Sequence, residues 1–385
     1  MNIFETQIKE LYQLLNYENY TQLIKRIIDF TLDTENVIQY KETLQLLEWI
    51  ENNSSKSHLK ERLTSSIENL CNQLSTKTLS SEEQTLLSVD GLIRSYKNSA
   101  FSFGPISFTI KERQIIGLVG ENGNGKTTLL RLLCGELQTM GGSITYGFPY
   151  KDNYDLRSHL IYIPQRTASW QGSLLSNLKF TASTYGIIGE ANELICQLVI
   201  ARMGLRKFRN HKWRDLSSGY KMRFELARAL LRKPKLLLID EPLANLDILA
   251  QQTVLDDFRD IVRSPFRPAA IVLSSQQLYE VEKTSDDVIF LKNGSPRNLI
   301  KDTDAVFVEV PKFIIEFESE WDQEQIYGAL SLLGIERIQK NGGTYVARFP
   351  NNITIEAFLQ LILDKHIPIT YLRNISNSTR RFFLS

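Results

Sequence analysis

Residues 120–128 read Gly-Glu-Asn-Gly-Asn-Gly-Lys-Thr-Thr, and this stretch decides the central fold of the chain. It matches the pattern G-x-x-x-x-G-K-[ST] and lies between a mostly apolar run, Gln114 to Val119, and a helical pattern that follows from Thr128. A strand, a glycine-rich turn and a helix form the context in which this pattern is a phosphate-binding loop. Glycines let successive backbone N–H groups surround phosphate oxygens, and the helix N-terminus adds partial positive charge.

Two side chains of the loop have individual predicted roles. Lys126 is expected to reach the terminal phosphates of a nucleotide, and Thr127 is expected to offer its hydroxyl to Mg²⁺. The predicted nucleotide-binding residues of the loop are Gly120, Glu121, Asn122, Gly123, Asn124, Gly125, Lys126, Thr127 and Thr128.

A second signal is an apolar run that ends in two carboxylates. Residues 235–242 read Lys-Leu-Leu-Leu-Ile-Asp-Glu-Pro, as expected of a buried strand that ends at Asp240 and Glu241. Such a strand would bring Asp240 to Mg²⁺ or its waters, and Glu241 could polarise the attacking water. An ordinary core strand that ends in two surface acids is the weaker interpretation, because a phosphate-binding loop is already present.

Further motifs give the chain a family resemblance. Residues 216–220, Leu-Ser-Ser-Gly-Tyr, resemble the LSGGQ signature of ATP-binding cassette (ABC) ATPases, and the motifs occur in the order typical of that family between about Leu86 and Gly294. The resemblance implies bound ATP and Mg²⁺, with Gln165 in a glutamine loop that senses the metal. It also implies nucleotide contacts from Tyr96, Ser217, Gly219 and Asp247.

The chain departs from the family pattern at two places. The signature has Ser218 and Tyr220 where the family usually has glycine and glutamine. Gln276, after the predicted strand 271–275, occupies the position of the family's histidine. Glutamine and neutral histidine can both hydrogen-bond a γ-phosphate, but only histidine titrates near neutral pH. We therefore predict Gln276 as a catalytic residue beside Glu241, and we expect ATP binding to persist with an altered hydrolysis rate.

Length, composition and charge narrow the possible functions. The 385 residues suggest two or three domains, and 42% hydrophobic with 23% charged residues is typical of a soluble globular chain. A net charge of +1 argues against a broad nucleic-acid surface, so no nucleic-acid partner is expected. The three cysteines are widely spaced and fit buried thiols in a reducing cytosol.

The sequence pattern predicts three domains. Apolar spacings of three and four in residues 1–80 predict about four helices, which form either a docking module or a bundle that packs on its neighbour. Residues 84–296 form the predicted ABC ATPase domain of α/β class, with a β-rich subdomain and a helical subdomain at about 166–232. Residues 305–385 show a β-α-β-β-α-β order that predicts a ferredoxin-like domain. This region ends Arg-Arg-Phe-Phe-Leu-Ser at 380–385, similar to the ends of some exporter cassettes.

The resemblance implies the ATP-hydrolysing subunit of an ABC transporter, most consistent with an exporter. The resemblance implies that two copies pair head to tail. A separate transmembrane permease subunit would be a further partner, because no segment of this chain approaches the length of a membrane helix, about 18 continuous apolar residues. The expected location is cytoplasmic, peripheral on the inner face of the cytoplasmic membrane. We expect Trp170 to Gly186 to contact that partner, with Leu178 as the position to test if it is exposed. The alternative is a soluble regulatory ABC ATPase that hydrolyses ATP slowly and is not coupled to transport.

Overall fold

The computed structural model describes residues 3–53, 58–77, 84–96, 101–277, 281–282, 284–297, 313–341 and 343–376. Among these residues, no helix is both long and apolar enough to cross a membrane.

Four helices form an N-terminal bundle, as the apolar spacing predicts. They are α1 (Ile3–Asn16), α2 (Tyr20–Thr34), α3 (Val37–Asn52) and α4 (Leu59–Leu74). One side of the bundle has its own apolar core, which includes Leu23, Leu63 and Ile67. The other side joins the central core of the chain through Ile28, Leu32, Tyr40, Leu44 and Leu47. The bundle therefore packs on the central region of the chain, which is one of the two interpretations that the sequence leaves open.

A buried group of charges fastens the bundle to two other parts of the chain. Arg202 has no exposed surface and donates to Asp29 of α2 at 2.9 Å, to Asp257 at 2.7 Å and to Asp260 at 3.2 Å. Burial on its own would lower the pKa of Arg202, but the three aspartates outweigh burial and raise that pKa. Lys25 also lies 2.8 Å from Asp257, so further positive charge balances the acids.

The central region contains two sheets. The first is antiparallel with the order β2-β1-β4 and comprises β1 (Thr85–Ser95), β2 (Ser102–Lys111) and β4 (Gly141–Tyr146). The second has the order β5-β6-β7-β3-β8-β9 and comprises β3 (Ile115–Val119), β5 (Leu160–Ile163), β6 (Leu236–Ile239), β7 (Ala270–Ser275), β8 (Asp287–Lys292) and β9 (Ser295–Arg297). All pairs of the second sheet are parallel except β8 with β9. Its central strands β3, β6 and β7 are buried throughout and apolar apart from the two serines that end β7, because both faces of the sheet are covered.

Six helices accompany these sheets. They are α5 (Lys126–Leu133), α6 (Asn153–His159), α7 (Leu174–Thr184), α8 (Gly189–Arg202), α9 (Ser218–Leu231) and α10 (Ile248–Val262). Helices α7 and α8 lie between β5 and α9 in the chain, where the sequence predicts a helical insertion. They contact each other, and each of them contacts α9. Helix α8 also contacts α2 and α3, so the insertion meets the N-terminal bundle, as α10 does through Asp257 and Asp260.

The C-terminal region folds into an antiparallel sheet with two helices on one face. Its elements are β10 (Phe313–Ser319), α11 (Gln323–Leu330), β11 (Arg337–Asn341), β12 (Thr344–Phe349), α12 (Ile355–Asp364) and β13 (Ile369–Asn374), and the sheet order is β11-β12-β10-β13. The β-α-β-β-α-β order agrees with the sequence prediction. Strands β11 and β13 each begin two residues after the start of the predicted apolar run. The first residues of those runs, Ile335 and Ile367, are buried in the core but precede the paired residues. Residues 380–385 lie outside the described residues.

The parallel sheet brings the predicted motifs to one edge. In the strand register Val119 of β3 lies opposite Ser275 of β7, and Ile239 of β6 lies opposite Leu273. The loop that follows β3, the acids that follow β6 and the residues that follow β7 therefore leave the sheet side by side. Ligands of open α/β sheets bind at this carboxyl edge.

Candidate functional site

The glycine-rich loop begins at the end of β3 and ends where α5 starts. Gly125 has φ +96°, and a Cβ there would lie 2.7 Å from Cδ2 of Phe103, so both conformation and space require glycine. A Cβ on Gly120 would lie 2.5 Å from the carbonyl oxygen of Leu291. Within the described part of the chain no side chain caps the N-terminus of α5, so the first-turn N–H groups have no side-chain acceptor there. This arrangement forms a cradle for an anion.

Lys126 is buried at the start of α5 and is turned back on the loop. Its ammonium donates to the carbonyl oxygens of Gly120 at 2.6 Å and Glu121 at 3.3 Å. It also forms an ion pair with Glu241, whose Oε1 lies 3.1 Å away. The cation is thus fixed in the loop and neutralised by a carboxylate that an incoming phosphate could replace.

Asp240 joins three elements at the edge of the sheet. Its Oδ2 accepts from Thr127 of α5 at 2.7 Å and from the Tyr162 hydroxyl of β5 at 3.4 Å. Its Oδ1 accepts from Ser274 of β7 at 2.6 Å. Burial, followed by the charge of Asp240, raises the pKa of Tyr162 well above its ordinary value, so this tyrosine stays a neutral donor. Thr127 and Asp240, the two residues predicted to hold Mg²⁺ together, are therefore hydrogen-bonded to each other.

Glu241 follows Asp240 with an unusual backbone. Its φ is +51°, in the left-handed region that non-glycine residues seldom occupy. Its amide donates to the Ser274 hydroxyl at 2.8 Å, and its side chain turns toward Lys126. Backbone conformations of this kind concentrate at functional sites.

The loop and Glu241 border a cleft of about 340 Å³. Its lining comprises Tyr96, Phe101, Glu121, Asn122, Gly123, Gly125, Lys126, Thr127, Thr128, Gln165 and Glu241. Tyr96 is half-buried just after β1, and its hydroxyl lies 3.1 Å from that of Thr128. The guanidinium of Arg94 lies 5.4 Å from the Tyr96 ring centre, so one face of the ring carries a cation.

Three predicted residues near the cleft have other neighbours. Gly120 offers its carbonyl to Lys126, as described above. Asn124 is buried, and its side chain accepts from the amide of Asn293 at 3.0 Å, which ties the loop to the turn between β8 and β9. Gln276 is exposed, directly after β7, and does not belong to the described lining of the cleft. It nevertheless leaves the sheet next to the loop, because Ser275 lies opposite Val119.

The signature residues lie apart from the cleft and are joined to the loop that precedes α10. Ser217 is the N-cap of α9, and Asp247 is the N-cap of α10, where it accepts from the amide of Ala250 at 2.8 Å. Ser218 donates to the carbonyl of Asn245 at 2.7 Å, so the residue that departs from the family pattern connects the two loops. Gly219 lies next to Leu246 and Ala250. The described lining of the cleft includes none of these residues.

The predicted contact segment in the helical insertion contains buried residues. Leu178 has no exposed surface, so it is unsuitable as a surface test position, and its apolar side chain belongs to the central core. Trp170 is half-buried, donates to Glu225 of α9 at 3.0 Å and lies 3.8 Å from the guanidinium of Arg228. Burial raises the pKa of Glu225 despite these donors. Phe180 is 68% exposed and Ile188 is 72% exposed, so the insertion does present apolar surface.

Three residues of the site carry no prediction from the sequence. Ser274 and Tyr162 bond Asp240, and Phe101 lines the cleft with its ring centre 6.3 Å from that of Tyr96. Ser274 follows four apolar residues of β7, and a polar residue at the carboxyl end of a central parallel strand was the available signal. No comparable signal marks Phe101.

Comparison with known proteins agrees with this geometry. The family model described as ABC transporter matches residues 103–244. The chain is 33% identical to YxlF, an uncharacterized ABC transporter ATP-binding protein of Bacillus subtilis (strain 168), over 54% of this chain and 68% of that protein. It is 31% identical to the ABC-type transporter ATP-binding protein EcsA of the same organism, over 55% of this chain and 86% of that protein.

A solved structure shows the same fold in the central region. The structure of cbiO1 from Clostridium perfringens, part of the ABC transporter complex cbiONQ, superposes with a TM-score of 0.51 at 22% identity. The match covers 56% of this chain and 88% of cbiO1. The phosphate-binding loop, the signature and the acid pair follow one another in this order along the chain. Together with them, the similarity to YxlF and EcsA shows that the chain belongs to the family of ABC transporter ATP-binding proteins.

Proposed function

We propose that the chain binds ATP with Mg²⁺ in the cleft beside the loop, hydrolyses it, and thereby powers partner membrane subunits of an exporter. The observation that carries this proposal is the 2.7 Å hydrogen bond from Thr127 to Asp240. It joins the phosphate-binding loop to the acid strand across 113 residues of sequence. A chance glycine-rich turn would not place a threonine hydroxyl on a buried carboxylate.

The donor set fits magnesium. Thr127 and Asp240 present a hydroxyl and a carboxylate oxygen, which are hard ligands of the kind that Mg²⁺ takes, and Gln165 lines the same cleft. Bound there, the ion would neutralise charge on the phosphates of ATP. The backbone cradle and Lys126 would hold the phosphates, and the half-buried ring of Tyr96 would stack on the adenine.

The ion pair between Lys126 and Glu241 supports a role for Glu241 as the base. A phosphate that draws the ammonium of Lys126 to itself would release the carboxylate that now lies 3.1 Å away. The freed Glu241 could then accept a proton from the attacking water. Gln276 would act as a neutral hydrogen-bond partner of the γ-phosphate, since it leaves the sheet beside the loop.

Two cassettes would complete two sites by pairing head to tail. The signature residues Ser217 and Gly219 are separated from the cleft of their own chain, and Asp247 stands at the start of α10 beside them. Ile248 and Leu249, which follow Asp247, are 82% and 80% exposed. Exposed aliphatic side chains next to the signature suit burial against a second copy.

We also propose a membrane partner, a location and domain bounds for the chain. A separate transmembrane permease would contact the exposed apolar residues of the helical insertion and hold the chain at the inner face of the cytoplasmic membrane. The domains would extend over 1–80, 84–296 and 305–385, with the last assigned to the ferredoxin-like class on its strand order. A net charge of +1 gives no reason to add a nucleic-acid partner.

Substitution of the loop lysine tests the proposal. Lys126→Ala removes the cation that would pair with phosphate and should abolish ATP binding at concentrations that saturate the unaltered protein. Lys151→Ala, on an exposed lysine outside the cleft, is the matched control and should bind normally. Calorimetric titration with ATP and Mg²⁺ measures both. Equal affinity in the two variants would remove the phosphate site from this loop.

The exposed glutamine at position 276 favours one alternative function. A regulatory ABC ATPase that hydrolyses slowly would need the same ATP site without efficient coupling to transport. Steady-state hydrolysis in vesicles with and without the permease discriminates the two functions. Stimulation by the permease supports the transporter subunit, and a slow rate that does not respond supports the regulatory protein.

A further inference from the structure

Ser274 is a buried hydroxyl that hydrogen-bonds the carboxylate of Asp240 and the backbone amide of Glu241. It lies near the carboxyl end of β7, between β6 and β3, and has no exposed surface. We propose that Ser274 is a positioning residue that orients Asp240 toward the metal and fixes the backbone of Glu241. This inference rests on the proposed ATP and Mg²⁺ site and adds a residue that acts through the two acids.

The carboxylate of Asp240 is held by hydrogen bonds to both of its oxygens. Ser274 donates to Oδ1 at 2.6 Å, and this bond holds one oxygen toward β7. The other oxygen, Oδ2, is then directed to Thr127 at 2.7 Å. A carboxylate with one oxygen fixed cannot rotate freely, so the oxygen beside Thr127 is held where a metal ligand is needed.

The backbone of Glu241 is bonded to the same serine. Its amide donates to the same Ser274 oxygen at 2.8 Å, while its φ of +51° is a conformation that needs support from its surroundings. The bond to Ser274 supplies that support. The carboxylate of Glu241 consequently stays near Lys126, 3.1 Å from its ammonium.

The two hydrogen bonds made at position 274 also account for the residue type found there. The position must donate to a carboxylate and accept from an amide at the same time, within a fully buried strand. A hydroxyl does both, whereas alanine and valine do neither. Threonine keeps the hydroxyl and has nearly the shape of valine, so Ser274→Thr and Ser274→Val differ mainly in the group that matters.

The experiment compares nucleotide affinity with and without magnesium in four variants. Ser274→Ala and Ser274→Val should keep the affinity for a fluorescent ATP analogue in chelator, because the loop is unchanged. The increase in affinity on adding Mg²⁺ should fall by roughly 10–100-fold, as is typical when the support of a metal ligand is lost. Turnover should fall with it. Ser274→Thr should retain most of the increase.

Ser275→Ala is the matched control. Ser275 is the next residue of the same strand, is also buried, and accepts from the amide of Gln277 at 3.0 Å on the opposite face. Its removal also deletes a buried hydroxyl, but it should leave the effect of Mg²⁺ intact. The comparison separates positioning of the acids from a general loss of packing in β7.

The outcomes distinguish this inference from the proposed function. If the unaltered protein binds the analogue no better with Mg²⁺, the proposed metal site is wrong. If it does, a full Mg²⁺ effect in both Ser274→Ala and Ser274→Val overturns the role of Ser274. Loss of binding in chelator as well, in both variants, also overturns it, because Ser274 would then support the fold and not the metal ligand.

Discussion

Gln276 occupies the position at which the family resemblance implies a histidine. It is exposed after β7 and outside the described lining of the cleft, so contact with a γ-phosphate requires its side chain to turn toward the loop next to it. An amide can donate one hydrogen bond to phosphate without any change of charge between pH 5 and 8.

Substitution of Gln276 measures this contribution. Gln276→Ala should lower ATP turnover by about tenfold or more, because a hydrogen bond to a charged group contributes about 1.5–3 kcal/mol. Gln276→His should support turnover, and Gln277→Ala is the neighbouring control. Phosphate release at saturating ATP is the measurement. An unchanged rate in Gln276→Ala would falsify the proposed contact.

The residues of the site divide by how far apart their partners lie in sequence. Gly120 to Thr127 were predictable because the loop is local and its chemistry depends on adjacent residues. Ser274 was not, since its bonds reach Asp240 and the Glu241 amide 34 and 33 residues away. A sequence pattern indicates that a polar residue ends a strand, but the partner depends on which strands are neighbours.

At the scale of elements, the N-terminal bundle is fastened to α8 and α10 through Arg202. This arginine bonds Asp29 across 173 residues, as well as Asp257 and Asp260. No periodicity in residues 1–80 could indicate this, because a buried ion pair between distant helices leaves no local pattern. The apolar spacing predicted the helices but left open whether they pack on the ATPase region.

Removal of the arginine should destabilise the chain. Arg202→Met leaves three buried carboxylates without their shared cation, and breaking a buried ion pair in this way costs about 3–5 kcal/mol. Arg206→Met is the control, because its partner Glu51 lies 3.0 Å away with 56% of its side chain exposed. That change should cost less than about 1 kcal/mol. Urea unfolding measures both, and similar losses would contradict a structural role for the Arg202 group.

The helical insertion offers a second test at this scale. Phe180 on α7 is 68% exposed, so Phe180→Glu places charge on the surface proposed for the permease without disturbing the core. We expect transport to fall while nucleotide affinity is unchanged. Tyr154→Glu, on the 84% exposed Tyr154 of α6, is the control. Transport in reconstituted vesicles is the measurement, and equal transport by both variants would locate the contact elsewhere.

At the scale of the whole molecule, the account requires two copies. The cleft and the signature of one chain lie apart, and the aliphatic residues beside Asp247 are exposed. Ile248→Glu should therefore weaken ATP-dependent pairing without altering ATP affinity, because it introduces charge into the proposed interface. Sedimentation at several protein concentrations measures the pairing. Undiminished pairing would place the interface on another surface.

The most direct test of the central claim is the molar mass of Glu241→Gln measured by light scattering. This variant should bind ATP and Mg²⁺ but hydrolyse slowly, because the group proposed to accept the proton of water is neutral. The account predicts a mass near 44.3 kDa without nucleotide and near twice that value with ATP and Mg²⁺. A second substitution, Lys126→Ala, should return the mass to that of one chain. A mass that stays near 44.3 kDa under saturating ATP and Mg²⁺ would contradict the account.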